Sequence, residues 1–206
     1  MAEDEKTERS NVNRFIGANA LQNIGDQVIA AKTVLPWILQ AGGAPGFAIA
    51  MLVPVRESLS MLPQAAFTPW VIGHKRRKSI WVIGAIGQGV AALLMAVAAA
   101  FLEGLALGLA FLLLLAVFAT FRSLCSIASK DVQGRIVDKG KRGLITGRSA
   151  AIGGLVSLVI GLSISLTPAL QKPSSLVILI LLSGLIWFLA ALVFNKIDEP
   201  IDPDAD

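Results

Sequence analysis

The sequence predicts an all-α, polytopic membrane protein of six transmembrane helices, and three observations carry that prediction. Hydrophobic residues make up 55% of the 206, and the mean hydropathy of +0.72 is far above that of a soluble protein. Most of the charge sits in the first 14 residues, two loops and the last 11, which leaves long, largely apolar runs between them. Six of those runs reach the ~20 residues that a helix needs to cross a hydrocarbon core of about 30 Å. They lie at 14–39, 46–71, 79–102, 104–128, 144–169 and 174–195, between an N-terminal tail (1–13) and an acidic C-terminal tail (196–206).

The N-terminal tail mixes acids and bases (MAEDEKTERS), and the apolar run after it is too long and too polar for a signal peptide. Span one carries Asn19, Gln22, Asn23, Asp26 and Gln27. Their i, i+3, i+4, i+7 spacing places them on one helical face. A carboxylate near the bilayer centre costs roughly 2.5–3.5 kcal/mol on insertion scales, so such a residue faces a wet cavity or a partner inside the protein. Lys32 follows six residues after Asp26, about 9 Å farther along a helix. It reads either as an anion-attracting entry residue or as a side chain that snorkels to the headgroups.

Span two contains Pro54-Val55-Arg56-Glu57, then Ser60 and Gln64. Arg56, Ser60 and Gln64 are four residues apart and Glu57 is one position round, giving a broad polar face. Arg56 and Glu57 sit at a depth similar to that of Asp26. The three define either a midplane substrate or proton site, or a structural ion pair that holds the first two helices in register. On span three, Gln88 stands beside Gly84 and Gly87 and reads as a helix–helix hydrogen bond. Span four carries Arg122, with Ser126 and Ser129 on roughly its face, as a further candidate to line a cavity. On span five, Gly147, Gly154, Ser157 and Gly161 form a face of small residues that another helix can approach closely. Pro45 and Pro173 stand just ahead of spans two and six, where a helix start tolerates proline. Pro36, Pro54, Pro63 and Pro168 fall inside spans, where kinks can free carbonyls or simply be tolerated.

The basic residues give the orientation. Fourteen Lys and Arg fall in the N-terminal segment, the loop 73–78, residues 130–148 and the C-terminal tail, against Lys172 alone on the opposite side. This bias predicts that both termini and both basic loops are cytoplasmic. The net charge of +4 therefore reflects membrane orientation, and no spaced aromatic platform accompanies it to suggest nucleic acid.

Enzyme chemistry finds little support in the residues. The single histidine, His74, lies in a basic loop, and the single cysteine, Cys125, lies in an apolar run. No internal disulfide, catalytic triad, metal-ligand spacing or phosphate-binding glycine loop can be drawn, and no cofactor is expected. Uphill transport would then draw on an ion gradient or a partner.

The order of spans and loops resembles the N-terminal half of a major facilitator superfamily transporter. Gly73-His74-Lys75-Arg76-Arg77-Lys78 stands where that family carries a Gly-x-x-x-Asp-Arg-x-Gly-Arg-Arg-type motif; the glycine and the basic pair match, whereas the Asp and the second Gly are missing. Leu35-Pro36-Trp37-Ile38-Leu39, Val53-Pro54-Val55-Arg56-Glu57-Ser58, Leu62-Pro63-Gln64 and Ser129-Lys130-Asp131-Val132 are similar to a group of bacterial permeases of that superfamily. The resemblance implies two inverted three-helix repeats, half of a twelve-helix architecture that rocks about a central site. It also implies that helices one and four, which carry Asp26 and Arg122, line the cavity; with the polar residues read above, the candidate substrate or proton pathway is Gln22, Asn23, Asp26, Lys32, Arg56, Glu57, Gln64 and Arg122.

By the same resemblance, Gly73, Arg76, Arg77, Lys78, Asp131, Arg135 and Arg142 belong to cytoplasmic gate loops (73–78 and 129–143), with Asp131 able to pair with nearby arginines. The alternative for those loops is orientation and headgroup contact. The implied function is secondary transport of a small solute across the bacterial inner membrane, proton coupling being one driving force. Completion would come from a second copy or from a separate C-terminal six-helix half, the chain itself being a natural half, a fragment or a truncated product. The rival expectation is a scaffold that folds in the membrane and moves nothing.

Overall fold

The computed structural model describes residues 2–30, 32, 34–137 and 139–199. Seven α-helices and two 3-10 turns, with no strand, account for nearly all of these residues. The helices are α1 (Ala2–Val28), α2 (Val34–Ala41), α3 (Gly46–Ile72), α4 (Arg77–Phe101), α5 (Gly104–Ile136), α6 (Arg142–Leu166) and α7 (Pro173–Asn195). Four of them, α4 to α7, are long and apolar enough to cross a membrane, which marks the protein as membrane-embedded. The other two long helices, α1 and α3, have 27 residues each but carry the polar stripes.

Several boundaries differ from the sequence expectation. Residues 14–39 do not form one continuous helix: α1 begins in the N-terminal tail and ends at Val28, and α2 resumes at Val34. The break precedes Pro36, which falls in the first turn of α2 and does not kink it. Helix α5 runs on to Ile136, so Ser129, Lys130, Asp131 and Arg135 are helical, and the second basic loop begins only at Val137. Pro168 opens the 3-10 turn Pro168–Gln171 after α6 has ended. Pro54, Pro63 and Pro69 are all accommodated inside α3. The acidic residues 200–206 lie outside the described residues.

The helices pack as an open ring in the order α3, α5, α4, α7, α1, α6. Close approach depends on small residues. A Cβ on Gly84 would lie 2.7 Å from Cys125 Sγ, and one on Gly87 would lie 2.4 Å from the Phe121 ring, so α4 and α5 meet nearly backbone to backbone. Gln88 is buried in this seam and donates to the Gly84 carbonyl and to Cys125 Sγ, each at 3.2 Å. On the other side, Gly25 admits the Trp187 ring, whose atoms lie 2.8 Å from where a Cβ would stand. Trp187 in turn meets Phe118 edge-on, and Trp81 stacks on Phe194 at 3.8 Å. These aromatics tie α7 to α4, α5 and α1.

On α6 the contact glycine is Gly153, against Asn23 of α1. Gly147, Gly154 and Gly161, the expected helix-packing face, have nothing within 4 Å. The register is therefore one residue away from the spacing argument, because Asn23 reaches the Ser149 carbonyl at 3.4 Å from that side.

The connections sort into two ends. At one end, the Gly104 N–H donates to the Gly42 carbonyl at 2.8 Å, bringing the α2–α3 and α4–α5 turns together. Gly43 and Gly104 take φ of +70° and +58°, a region that favours glycine. The other end gathers the N-terminal half of α1, the α3–α4 turn, the α5–α6 turn and residues 195–199.

Candidate functional site

The stripe on α1 faces the inside of the open ring, where a carboxylate from one helix meets guanidinium groups from two others. Asp26 Oδ2 lies 2.9 Å from Arg122 Nη2 of α5, and its Oδ1 lies 3.3 Å from Arg56 Nη2 of α3. The three side chains are only 12%, 28% and 16% exposed, so the pairing is largely shielded from solvent. Removing a charge from such an arrangement leaves others buried and uncompensated.

The two arginines are held differently. Arg56 also donates to the Ile29 carbonyl and, at 3.3 Å, to the Asp26 carbonyl. Its guanidinium carbon stands 5.6 Å from the centre of the Phe118 ring. These carbonyls belong to the C-terminal end of α1, where four backbone acceptors lack helical partners and the helix dipole is negative. Arg56 thus caps the broken helix and offsets a carboxylate placed at the unfavourable pole. Arg122 holds Asp26 from the other side and is the more exposed of the two.

Three cavities lie along this stripe. The inner one, of about 380 Å³, is lined by Asn19, Gln22, Asn23, Gln64, Arg122 and Lys130 among others. A central recess of about 280 Å³ holds Asp26, Arg56, Glu57, Ser60, Gln64 and Arg122. Gln64, Arg122 and Ser126 line both, so the two are neighbours across Arg122. An outer cavity of about 310 Å³ is bounded by Gln27, Lys32, Trp37 and the small-residue side of α6.

Of the residues singled out by sequence, Asp26, Arg56 and Arg122 converge in the central recess, and Gln22, Asn23 and Gln64 line the neighbouring inner cavity together with Arg122. Glu57 borders the recess but turns aside: its side chain is 51% exposed and its ionic partner is Lys32, itself 70% exposed, at 4.0 Å. Polar groups in the inner wall are also cross-linked. Asn19 donates to the Phe15 carbonyl and accepts from Ser129 Oγ at 3.2 Å, and Gln64 donates to the Ser60 carbonyl. Gln22 is 2% exposed, and its Nε2 has no acceptor in hydrogen-bonding geometry. Among the described residues no three His, Cys, Asp or Glu side chains gather as a metal site would require.

A second charge cluster closes the opposite end of the stripe. Asp131 Oδ2 lies 3.1 Å from Arg77 Nε and 2.9 Å from Arg135 Nε. The principal residue missed by sequence reasoning is Glu199. Its carboxylate accepts the backbone N–H groups of Arg77 and Lys78 at 3.0 and 2.8 Å, at the first turn of α4, which has no side-chain cap of its own. Lys78 returns the contact by donating to the Ile197 carbonyl at 2.8 Å and the Asn195 carbonyl at 3.3 Å, just past α7. Asn11 exchanges two hydrogen bonds, both 3.0 Å, with the backbone of Asp198. Residues 195–199 therefore fasten α1 to α4. Arg142 donates to the Val137 and Gly134 carbonyls and so caps the end of α5, whereas Gly73 and Arg76 are exposed in the turn before α4.

These features stand without a relative to compare: no protein-family model matches the chain, and no curated protein or solved structure matches it significantly.

Proposed function

We propose that the chain forms one six-helix half of a secondary transporter of the major facilitator type, moving a small solute across the bacterial inner membrane by alternating access. In this reading α1 with α2 makes one span and α3 the next, and α4 to α7 supply the other four, as two inverted three-helix repeats. The end that carries the basic loops and residues 195–199 faces the cytoplasm, in accord with the bias of Lys and Arg. The observation that carries the proposal is the convergence of Asp26, Arg56 and Arg122 from three helices at the junction of two polar cavities. Intramembrane ionisable groups that face a cavity mark solute and ion pathways. The Arg77–Asp131–Arg135–Glu199 cluster acts as the cytoplasmic latch.

The ring is open between α3 and α6. On the flanking helices, Met61 and Leu62 of α3 and Leu155 of α6 are 65%, 72% and 65% exposed, and Gly147, Gly154 and Gly161 leave open space along α6. A second copy of the chain, or a separate six-helix half, covers this groove and completes the transporter. The protein should accordingly self-associate in detergent, with stability rising with concentration.

The test is solute uptake into proteoliposomes, with and without a proton gradient, over a range of protein densities. Asp26→Asn should reduce uptake far more than folded yield. Equal losses in both favour the second reading, a structural pin in a scaffold, for which the capping of α1 by Arg56 is the supporting observation. Absence of uptake at every density by a self-associated protein overturns transport, and uptake by an isolated monomer overturns the pairing.

A further inference from the structure

We propose that the inner cavity is an anion site that takes the carboxylate or phosphate group of a small soluble solute, with Arg122 as counter-charge and Gln22 as a directional donor. The inference rests on the transport reading and adds the class of solute.

The cavity wall has a definite sign. Arg122 and Lys130 line it, and no carboxylate does. Asp26 lies beyond Arg122 in the adjoining recess, where it balances one face of that guanidinium and Arg56 besides. A cation entering the cavity meets two like charges, whereas an oxyanion meets two opposite ones, the partly buried Arg122 and the exposed Lys130 at the rim. Arginine is well suited to this task, because its planar fork can offer parallel N–H groups to carboxylate or phosphate oxygens.

Gln22 supplies an independent indication. Its neighbours on the stripe are satisfied, since Asn19 and Asn23 both donate to carbonyls within the protein. The Gln22 amide is as buried as a core residue; its side chain lines the cavity, while Nε2 is sealed beside the weakly accepting Cys125 thiol, and a turn of the side chain brings that N–H to the cavity. Buried donors without acceptors are rare because they cost folding free energy, and an oxyanion in the cavity supplies the missing acceptor. The arrangement also implies competition. An anion on Arg122 shares that guanidinium with Asp26, so binding weakens the link between α1 and α5. Neutralising Asp26 should therefore strengthen anion binding while it impairs transport.

The experiment is thermal unfolding of the full chain in phosphatidylcholine nanodiscs, with gluconate and inorganic phosphate as probes against chloride at equal ionic strength. At least one probe should stabilise the protein saturably. Apparent affinity should fall about tenfold or more in Arg122→Gln, the weight of a charge-assisted hydrogen bond. It should fall by less in Gln22→Leu, and rise in Asp26→Asn. A shift that chloride reproduces, no shift with either probe, or full affinity in Arg122→Gln overturns the site; should that variant not fold, full affinity in Gln22→Leu does so. Stabilisation seen only when phosphatidylglycerol is added assigns the cavity to a lipid headgroup and overturns the soluble-solute reading. Gradient-driven uptake of a cationic or neutral solute overturns the anion assignment and leaves transport standing. Arg122-dependent binding without any uptake leaves the anion site standing and overturns transport.

Discussion

Replacing Glu199 by alanine should loosen the bundle from its basic end. The carboxylate accepts two backbone N–H groups at the start of α4, at 3.0 and 2.8 Å, where no side chain of the helix itself does so. Loss of an N-terminal cap costs about 1 kcal/mol. Loss of a negative charge at the positive pole of the helix costs up to about 1 kcal/mol more. Arg135, 3.9 Å from this fully buried carboxylate, loses a counter-charge as well, so the two helix contributions set a floor. The sum, ~2 kcal/mol, corresponds to a fall of about 4–8 °C in the unfolding midpoint of a domain of this size. Cys125 provides the assay, because it is the sole cysteine and is buried between α4 and α5. A thiol-reactive dye should label it only as the bundle opens, so labelling against temperature reads the midpoint directly. Glu199→Gln keeps one of the two acceptor oxygens, sets an NH2 against the other backbone N–H and loses the charge, so it should recover less than half of the loss. An unchanged midpoint in Glu199→Ala would refute the idea that residues 195–199 hold α4 in place.

Gly25→Ala forces a methyl to within 2.8 Å of the rigid Trp187 ring and should cost about 1–3 kcal/mol, part of it recovered by Trp187→Leu; no recovery in the double variant would place the strain elsewhere. Arg56→Leu should lower folded yield more than Arg122→Gln does, because only Arg56 also caps the α1 carbonyls; the reverse order would contradict the division between an anchor and a cavity charge. In a Cys125→Ser background, cysteines placed at Gly42, Glu103 and Lys172 should label from outside cells, whereas one at Lys75 should not; outside labelling at Lys75 inverts the proposed orientation.

The sequence displayed the site better than it displayed the fastening. The stripe on α1 was legible because helical spacing alone puts Gln22, Asn23 and Asp26 on one face. Arg56 and Glu57 are neighbours in sequence, yet a step of about 100° separates them on the helix. That step sends Arg56 to Asp26 and Glu57 outward to Lys32, and depth alone could not separate the two. The break after Val28 left only an indirect local signal: Ile29-Ala30-Ala31-Lys32-Thr33 contains neither proline nor glycine, and Pro36 suits the first turn of a new helix as well as a kink within a long one. It is stabilised by Arg56, which is remote in sequence. Glu199 was illegible for the same reason: it caps a helix that begins 122 residues earlier. Long-range partners of backbone groups are invisible to periodicity, which reports only which side chains share a face.

The position of residues 195–199 has a consequence for biogenesis. Ribosomal synthesis delivers this segment after every helix that it fastens, so α1 and α4 are made before their shared clasp exists. Until then the first amides of α4 rely on water or headgroups, and Asn11 lacks the backbone of Asp198. Assembly is thereby ordered in time: the helices form as they emerge, and their lateral register is fixed only when the last turn of α7 and the four residues that follow it arrive. A released chain that ends before residue 195 should leave Cys125 open to reagent, and one that extends through Glu199 should close it.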